Sequence, residues 1–149
     1  MRQIDYMVGG EDFGKMVAAH FMQADVYYYP KKATGDKLAT AITMGGFGSV
    51  PIVDDGKKLV GLVSEFDLLT AIMGGKELEE VTAEAIMTKD PVSVLEYAAA
   101  VDVIELLQEK HLIRVPVVDK KGVLVGIVSR RDVLQGYLKS REKPPPWWA

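Results

Sequence analysis

Cysteine is absent from the 149 residues, which removes disulfides, thiolate metal sites and thiol nucleophiles, and fits a reducing compartment. Only two histidines, His20 and His111, could serve base chemistry or zinc. They stand 91 positions apart with no acidic residues at metal-ligand spacing, so both read as structural. No apolar run reaches the roughly 18 residues of a membrane span, and Met1–Asp5 lacks the apolar core of a secretory signal; the expectation is a soluble, cytoplasmic protein. Charge of one sign is also scarce. Eighteen basic against 21 acidic residues gives a net −3, too acidic for a chain whose main partner is a nucleic-acid backbone. What is present is an ordinary globular mixture, 48% hydrophobic and 26% charged. A chain this long should bury about 70% of its unfolded surface, as one domain or two small ones.

Sliding the chain by 65 residues aligns residues 21–73 with 86–138 without a gap, and 14 of the 53 positions are identical. They include Met22/Met87, Asp25/Asp90, Val50/Val115, Pro51/Pro116, Asp54/Asp119, Gly61/Gly126, Ser64/Ser129 and Asp67/Asp132. Copy two is the clearer to read. Val92–Val94 is a short extended run, and Ala98–Lys110 carries apolar residues at helical spacing. Arg114–Val118 and Val123–Val128 flank a turn at Asp119–Gly122, which reads as a hairpin, and Arg130–Leu138 closes the copy as a helix. The order is strand, helix, strand, strand, helix. Copy one repeats it with a strand at Val26–Tyr29, a helix near Lys37–Met44, strands at Val50–Val53 and Leu59–Val63, and a helix at Leu68–Met73. The alternation of a strand predicts that Tyr27–Tyr29 pack rather than form a stacking platform. Gly45-Gly46-Phe47-Gly48 lacks the lysine and hydroxyl of a P-loop and reads as a helix-terminating loop.

Each copy ends its second strand in G-(L/I)-V-S-x-x-D: Gly61 to Ser64 and Asp67, then Gly126 to Ser129 and Asp132. A serine followed three positions later by an acid can close a helix start as a capping box, worth about 1 kcal/mol. The same group, with helix N–H donors and a carboxylate able to accept from ribose hydroxyls, also suits a nucleotide. Both roles stay open on the residues alone.

Two copies of this order, each with a central V-P-(I/V)-V-D and a terminal G-(L/I)-V-S-x-x-D, resemble the cystathionine beta-synthase (CBS) domain pair. The resemblance spans about residues 16–140. It implies an α/β (α+β) chain of tandem CBS domains, each a small three-stranded sheet with two helices, packed about a pseudo-two-fold axis with ligand clefts between them. The divisions expected are an arm at 1–15, unit one at 16–75, a linker at 76–85, unit two at 86–140 and a Pro/Trp tail at 141–149. The family implies a non-catalytic regulatory module, often a homodimer, that binds an adenine nucleotide (AMP, ADP or ATP), needs no cofactor or metal, and signals to another protein.

Carried onto this chain, the chief site comprises Ser129, Arg130, Arg131, Asp132 and Arg114, with Val92 and Val115 against the base. Ordinary core packing is the competing role for Val92 and Tyr27. A weaker site comprises Ser64, Asp67, Ser49, Tyr27 and Val50, because Ser49, Glu65 and Phe66 stand where copy two has arginines and a carboxylate opposes phosphate. His111 could also reach a phosphate. The rivals are a ligand-free interaction or dimerisation module, an S-adenosylmethionine or guanine-nucleotide binder, and nucleic-acid binding by the basic 130–143 stretch. Trp147 and Trp148 are expected to pack on this chain or on a dimer partner, against a free tail.

Overall fold

A computed structural model describes residues 12–142 and Trp147. A 3₁₀ turn at Phe13–Lys15 precedes α1 (Ala18–Phe21). Then follow β1 (Tyr29–Pro30), α2 (Gly35–Gly45), β2 (Ser49–Val53), β3 (Leu59–Ser64) and α3 (Glu65–Met73). A 3₁₀ turn at Leu78–Glu80 and α4 (Ala83–Ile86) lead into β4 (Thr88–Lys89). The second copy supplies β5 (Val94–Leu95), α5 (Ala100–Glu109), β6 (Arg114–Val118), β7 (Leu124–Ser129) and α6 (Arg130–Arg141). The expected order is therefore present twice. Residues 1–11, Pro144–Pro146 and Trp148 lie outside the described residues.

The chain forms two compact units, and their limits differ from those of the sequence repeat. Unit I takes residues 12–26, 92–120 and 125–142; unit II takes residues 27–91 and 121–124. The segment that leads into each copy thus packs with the other copy. In unit I, Phe21 and Met22 join Val103, Val115, Val128 and Val133 in one core; in unit II, Ala83, Ile86 and Met87 join Leu38, Val50 and Val63.

Two glycines explain how these segments seat. A Cβ at Gly126 would lie 2.6 Å from Sδ of Met22 and 2.9 Å from the carbonyl oxygen of Gln23, and one at Gly61 would run into Met87. Each motif glycine is the floor on which the leading methionine of the other copy rests, which accounts for the identity of both pairs.

Unit II holds a sheet in the order β1-β2-β3-β4, parallel between β1 and β2 and antiparallel thereafter. The fourth strand goes beyond the three expected: Thr88 and Lys89 pair with Leu62 and Gly61. Unit I holds β5-β6-β7, with β5 parallel to β6. Gln23 bridges Ile127 at the place β4 occupies in unit II, through N–H···O bonds of 2.8 and 3.0 Å. The β2–β3 turn is fixed by Asp54, whose Oδ1 accepts from the N–H groups of Gly56 (3.0 Å) and Lys58 (2.8 Å). Helix α2 ends where expected. Gly46 adopts φ 69°, and its N–H donates to Ile42 O, a left-handed C-cap rather than a phosphate cradle.

Candidate functional site

The strand ends bring the motif residues of each copy to one helix start. In unit I the N–H of Arg130 donates to Ile113 O at 2.9 Å. The first turn of α6 is thereby tied to the residue before β6, and Arg114, which opens β6, stands beside it. Ser129 caps α6: its Oγ accepts from the N–H of Asp132 at 3.0 Å, while its own N–H donates to Asp132 Oδ2 at 2.9 Å. Gln23 Nε2 donates to the other oxygen, Oδ1, at 3.0 Å, and Asp132 is only 3% exposed. Arg131 is exposed, and its N–H, the second of the helix, is not used by the cap. Arg130 is committed locally, with Nε donating to Leu112 O at 2.6 Å. Val115 is fully buried beneath this end of the sheet.

Unit II has the same frame and different chemistry. Ser49 is directly opposite Ser64 in the β2–β3 register, and the N–H of Glu65 donates to Gly48 O at 3.1 Å. Ser64 accepts from the N–H of Asp67 at 3.2 Å, and both its N–H (2.8 Å) and its Oγ (3.0 Å) donate to Asp67 Oδ2. Among the described residues nothing donates to Asp67 Oδ1, and the side chain is half-buried rather than covered. Val50 is buried below it.

Both serine–aspartate pairs are thus complete capping boxes without any ligand. The capping and ligand readings are not exclusive, but the cap takes the third N–H of each helix and a loop carbonyl (Ile113 O or Gly48 O) takes the first, which leaves the second N–H for an anion.

Several expectations need correction. Tyr27 is 67% exposed and Val92 is 40% exposed, so neither is a core residue: each precedes its strand, which begins only at Tyr29 or Val94. Tyr28 is exposed as well and carries Lys57 Nζ at 5.0 Å from its ring centroid, so strand burial does not dispose of the tyrosines. His20, by contrast, has the structural role expected of it, its Nδ1 accepting from the N–H of Val17 at 3.0 Å. His111 is exposed, with φ 52°, in the turn after α5. Trp147 is 93% exposed and does not pack on the described residues of this chain.

Sequence reasoning missed Gln23, whose side chain completes the shell of Asp132 across 109 positions. It also missed a groove of about 580 Å³ in unit II, lined by Tyr27, Tyr29, Asp36, Thr40, Met44 and Phe47. Tyr27 and Phe47 face one another there with ring centroids 5.7 Å apart. The hydroxyl of Thr34 holds the Asp36 carboxyl below the usual range, and Asp36 Oδ1 is buried without a partner among the described residues. No group of three or more His, Asp or Glu side chains placed to hold a metal occurs among those residues, nor does a helix long and apolar enough to cross a membrane.

A duplicated strand-helix-strand-strand-helix unit, each copy with an S-x-x-D helix start at the end of its hairpin, defines a tandem α+β repeat protein. The CBS domain model matches it twice, at residues 17–74 and 83–139, and the chain belongs to the CBS domain family. MK0525 of Methanopyrus kandleri is 34% identical over 109 residues, which is 68% of this chain and 56% of that protein, so the chain spans little more than half of this relative. Two solved structures share the fold. CBSX2, a CBS-pair protein of Arabidopsis thaliana solved in complex with AMP, is 26% identical with a TM-score of 0.73, covering 85% of this chain and 98% of its own. PAE2072 of Pyrobaculum aerophilum, a CBS domain protein complexed with AMP, is 27% identical with a TM-score of 0.69, covering 78% and 89%.

Proposed function

We propose that the chain is a ligand-sensing regulatory module that binds an adenine nucleotide, chiefly at the start of α6 in unit I, and passes its occupancy to another protein. One observation supports this reading: the N–H of Arg130 ties the start of α6 to Ile113, the residue before Arg114, next to exposed Arg131 and an N–H the cap does not use, in a fold whose solved neighbours CBSX2 and PAE2072 are complexed with AMP. Guanidinium groups and a helix N-terminus are complementary to a phosphate, and partly open Val92 offers an apolar surface to a base, whereas the other expected base contact, Val115, is fully buried. Unit II offers Asp67, Ser64, Ser49 and exposed Tyr27 without an arginine, while the expected base contact Val50 is buried. Glu65 beside it disfavours phosphate, so this second site suits a ligand with less charge. The expected ligands are AMP, ADP or ATP, and the role is regulatory rather than catalytic.

Thermal denaturation with AMP, ADP, ATP, S-adenosylmethionine and a short oligonucleotide tests the reading. A true ligand at 100 times its Kd should stabilise the chain by about 2.7 kcal/mol. An unmoved Tm with every compound would leave a ligand-free interaction module, a reading that the self-contained capping boxes also favour. The largest response from the oligonucleotide would return nucleic-acid binding.

A second copy of the chain is the proposed partner for the exposed apolar side chains Phe66, Leu69 and Met73 on α3 and Leu134 and Leu138 on α6. Sedimentation equilibrium should give twice the 16.4 kDa chain mass; a monomer at micromolar concentration would remove the dimer.

A further inference from the structure

The two helix starts share their caps but differ at one carboxylate oxygen. Asp132 Oδ2 takes the N–H of Ser129 at 2.9 Å, and Oδ1 takes the side-chain amide of Gln23 at 3.0 Å. Asp67 uses Oδ2 in the same way, while Oδ1 accepts from nothing among the described residues. The cause lies in the leading segment of the opposite copy. Gln23 sits opposite Ile127 and Thr88 opposite Leu62, equivalent registers on equivalent strands. At that place a glutamine reaches the carboxylate, whereas the shorter threonine leaves it open. The backbone of Gln23 is held by its own pair of bonds to Ile127, so the side chain can leave Asp132 without the segment coming away. A carboxylate reads a vicinal diol by offering acceptor sites to both hydroxyls, and an amide N–H on Oδ1 fills one of them.

Building on the nucleotide reading of unit I, we propose that Gln23 is the specificity-determining residue of that site. Its amide stands in for a ligand hydroxyl on Asp132, so unit I selects for phosphate and is indifferent to ribose, whereas unit II, with Asp67 open, selects for ribose.

The test exchanges the two residues. Calorimetric titration compares AMP with 2′,3′-dideoxyadenosine 5′-phosphate, which lacks both hydroxyls. An Asp67→Ala background silences ribose reading in unit II. In that chain the two ligands should bind within about threefold of one another, and adding Gln23→Thr should raise the preference for AMP to about tenfold, the scale of one hydrogen bond to a charged group. The reciprocal chain, Asp132→Ala with Thr88→Gln, should lose the ribose preference that Asp132→Ala alone retains in unit II. Threonine already occupies this register in unit II, so Gln23→Thr is compatible with the fold. A merely structural Gln23 would lower Tm, or weaken both ligands equally, and leave the ratio unchanged; that result overturns the proposal while the nucleotide reading stands. Absence of binding by either ligand to any of the chains overturns both.

Discussion

Phe21→Ala should cost about 3–5 kcal/mol of stability, the range for emptying a fully buried aromatic site, and the loss should fall on the second copy of the repeat rather than the first. Phe21 has no exposed surface, its ring lies 5.7 Å from that of Phe13, and it belongs to the core built by Val103, Val115, Val128 and Val133. By sequence it opens copy one; by packing it belongs to unit I. Hydrogen exchange after the substitution should show lost protection in α5, β6, β7 and α6, with α2 and β2 retaining theirs. Loss confined to α2, β2 and β3 would show that the leading segment packs with its own copy and that the exchanged arrangement is wrong. Gly136 gives an independent check, because a Cβ there would run into the Phe21 ring. Gly136→Ala should therefore destabilise the wild type by about 1–3 kcal/mol through overpacking. It should cost much less in the Phe21→Ala chain, where the vacated ring leaves room for the methyl, a coupling that chemical denaturation of the four chains measures.

The same exchange marks where sequence reading ran out. The gapless shift, the hairpins and the helix starts were legible because each rests on local chemistry: period-two and helical spacing, Asp54 closing its turn, serine and aspartate three apart. Helix α2 and its glycine cap were legible for the same reason. The seating of Phe21 and Met22 against copy two rests on contacts about 100 positions apart, and that of Ile86 and Met87 against copy one on contacts about 25 to 50 positions apart, which no local period reports. A signal was nevertheless present. Met22/Met87 and Gly61/Gly126 are identical in the two copies, while neither the hairpin nor the cap needs a methionine; a long side chain and a missing Cβ retained together mark a close approach. The sequence pattern starts the first strands too early, at Val26 and Val92, because apolar and aromatic residues there mimic a strand, whereas parallel pairing begins only at Tyr29 with Ile52 and at Val94 with Val117. That error turned exposed Tyr27 and Val92 into candidates for the core. Gln23 was invisible for a different reason: a lone glutamine carries no pattern, and its role exists only because the bridge to Ile127 brings it to Asp132.

Replacing both Arg114 and Arg131 with alanine should lower AMP affinity by about 100-fold, roughly tenfold for each charge-assisted bond to phosphate, while leaving adenosine affinity nearly unchanged. The contrast between the units is the reason. Caps, strand registers and buried valines match, so the difference in ligand charge that each helix start can accept comes down to Arg114, Arg130 and Arg131 against Ser49, Glu65 and Phe66. Arg130 already donates to Leu112 O and serves chiefly to hold the α5–β6 loop, so Arg130→Ala should affect binding less than either of the others. Exposed Arg131 carries both its guanidinium and the one helix N–H that the cap leaves over; alanine removes the first and keeps the second, so residual phosphate affinity should survive in the double variant. The weakening on raising salt from 50 to 200 mM should be smaller in that variant than in the wild type, because fewer protein charges face the phosphate. Equal losses for AMP and adenosine would mean that the arginines shape the fold rather than grip an anion, and an unchanged AMP affinity would move the phosphate site away from α6 altogether.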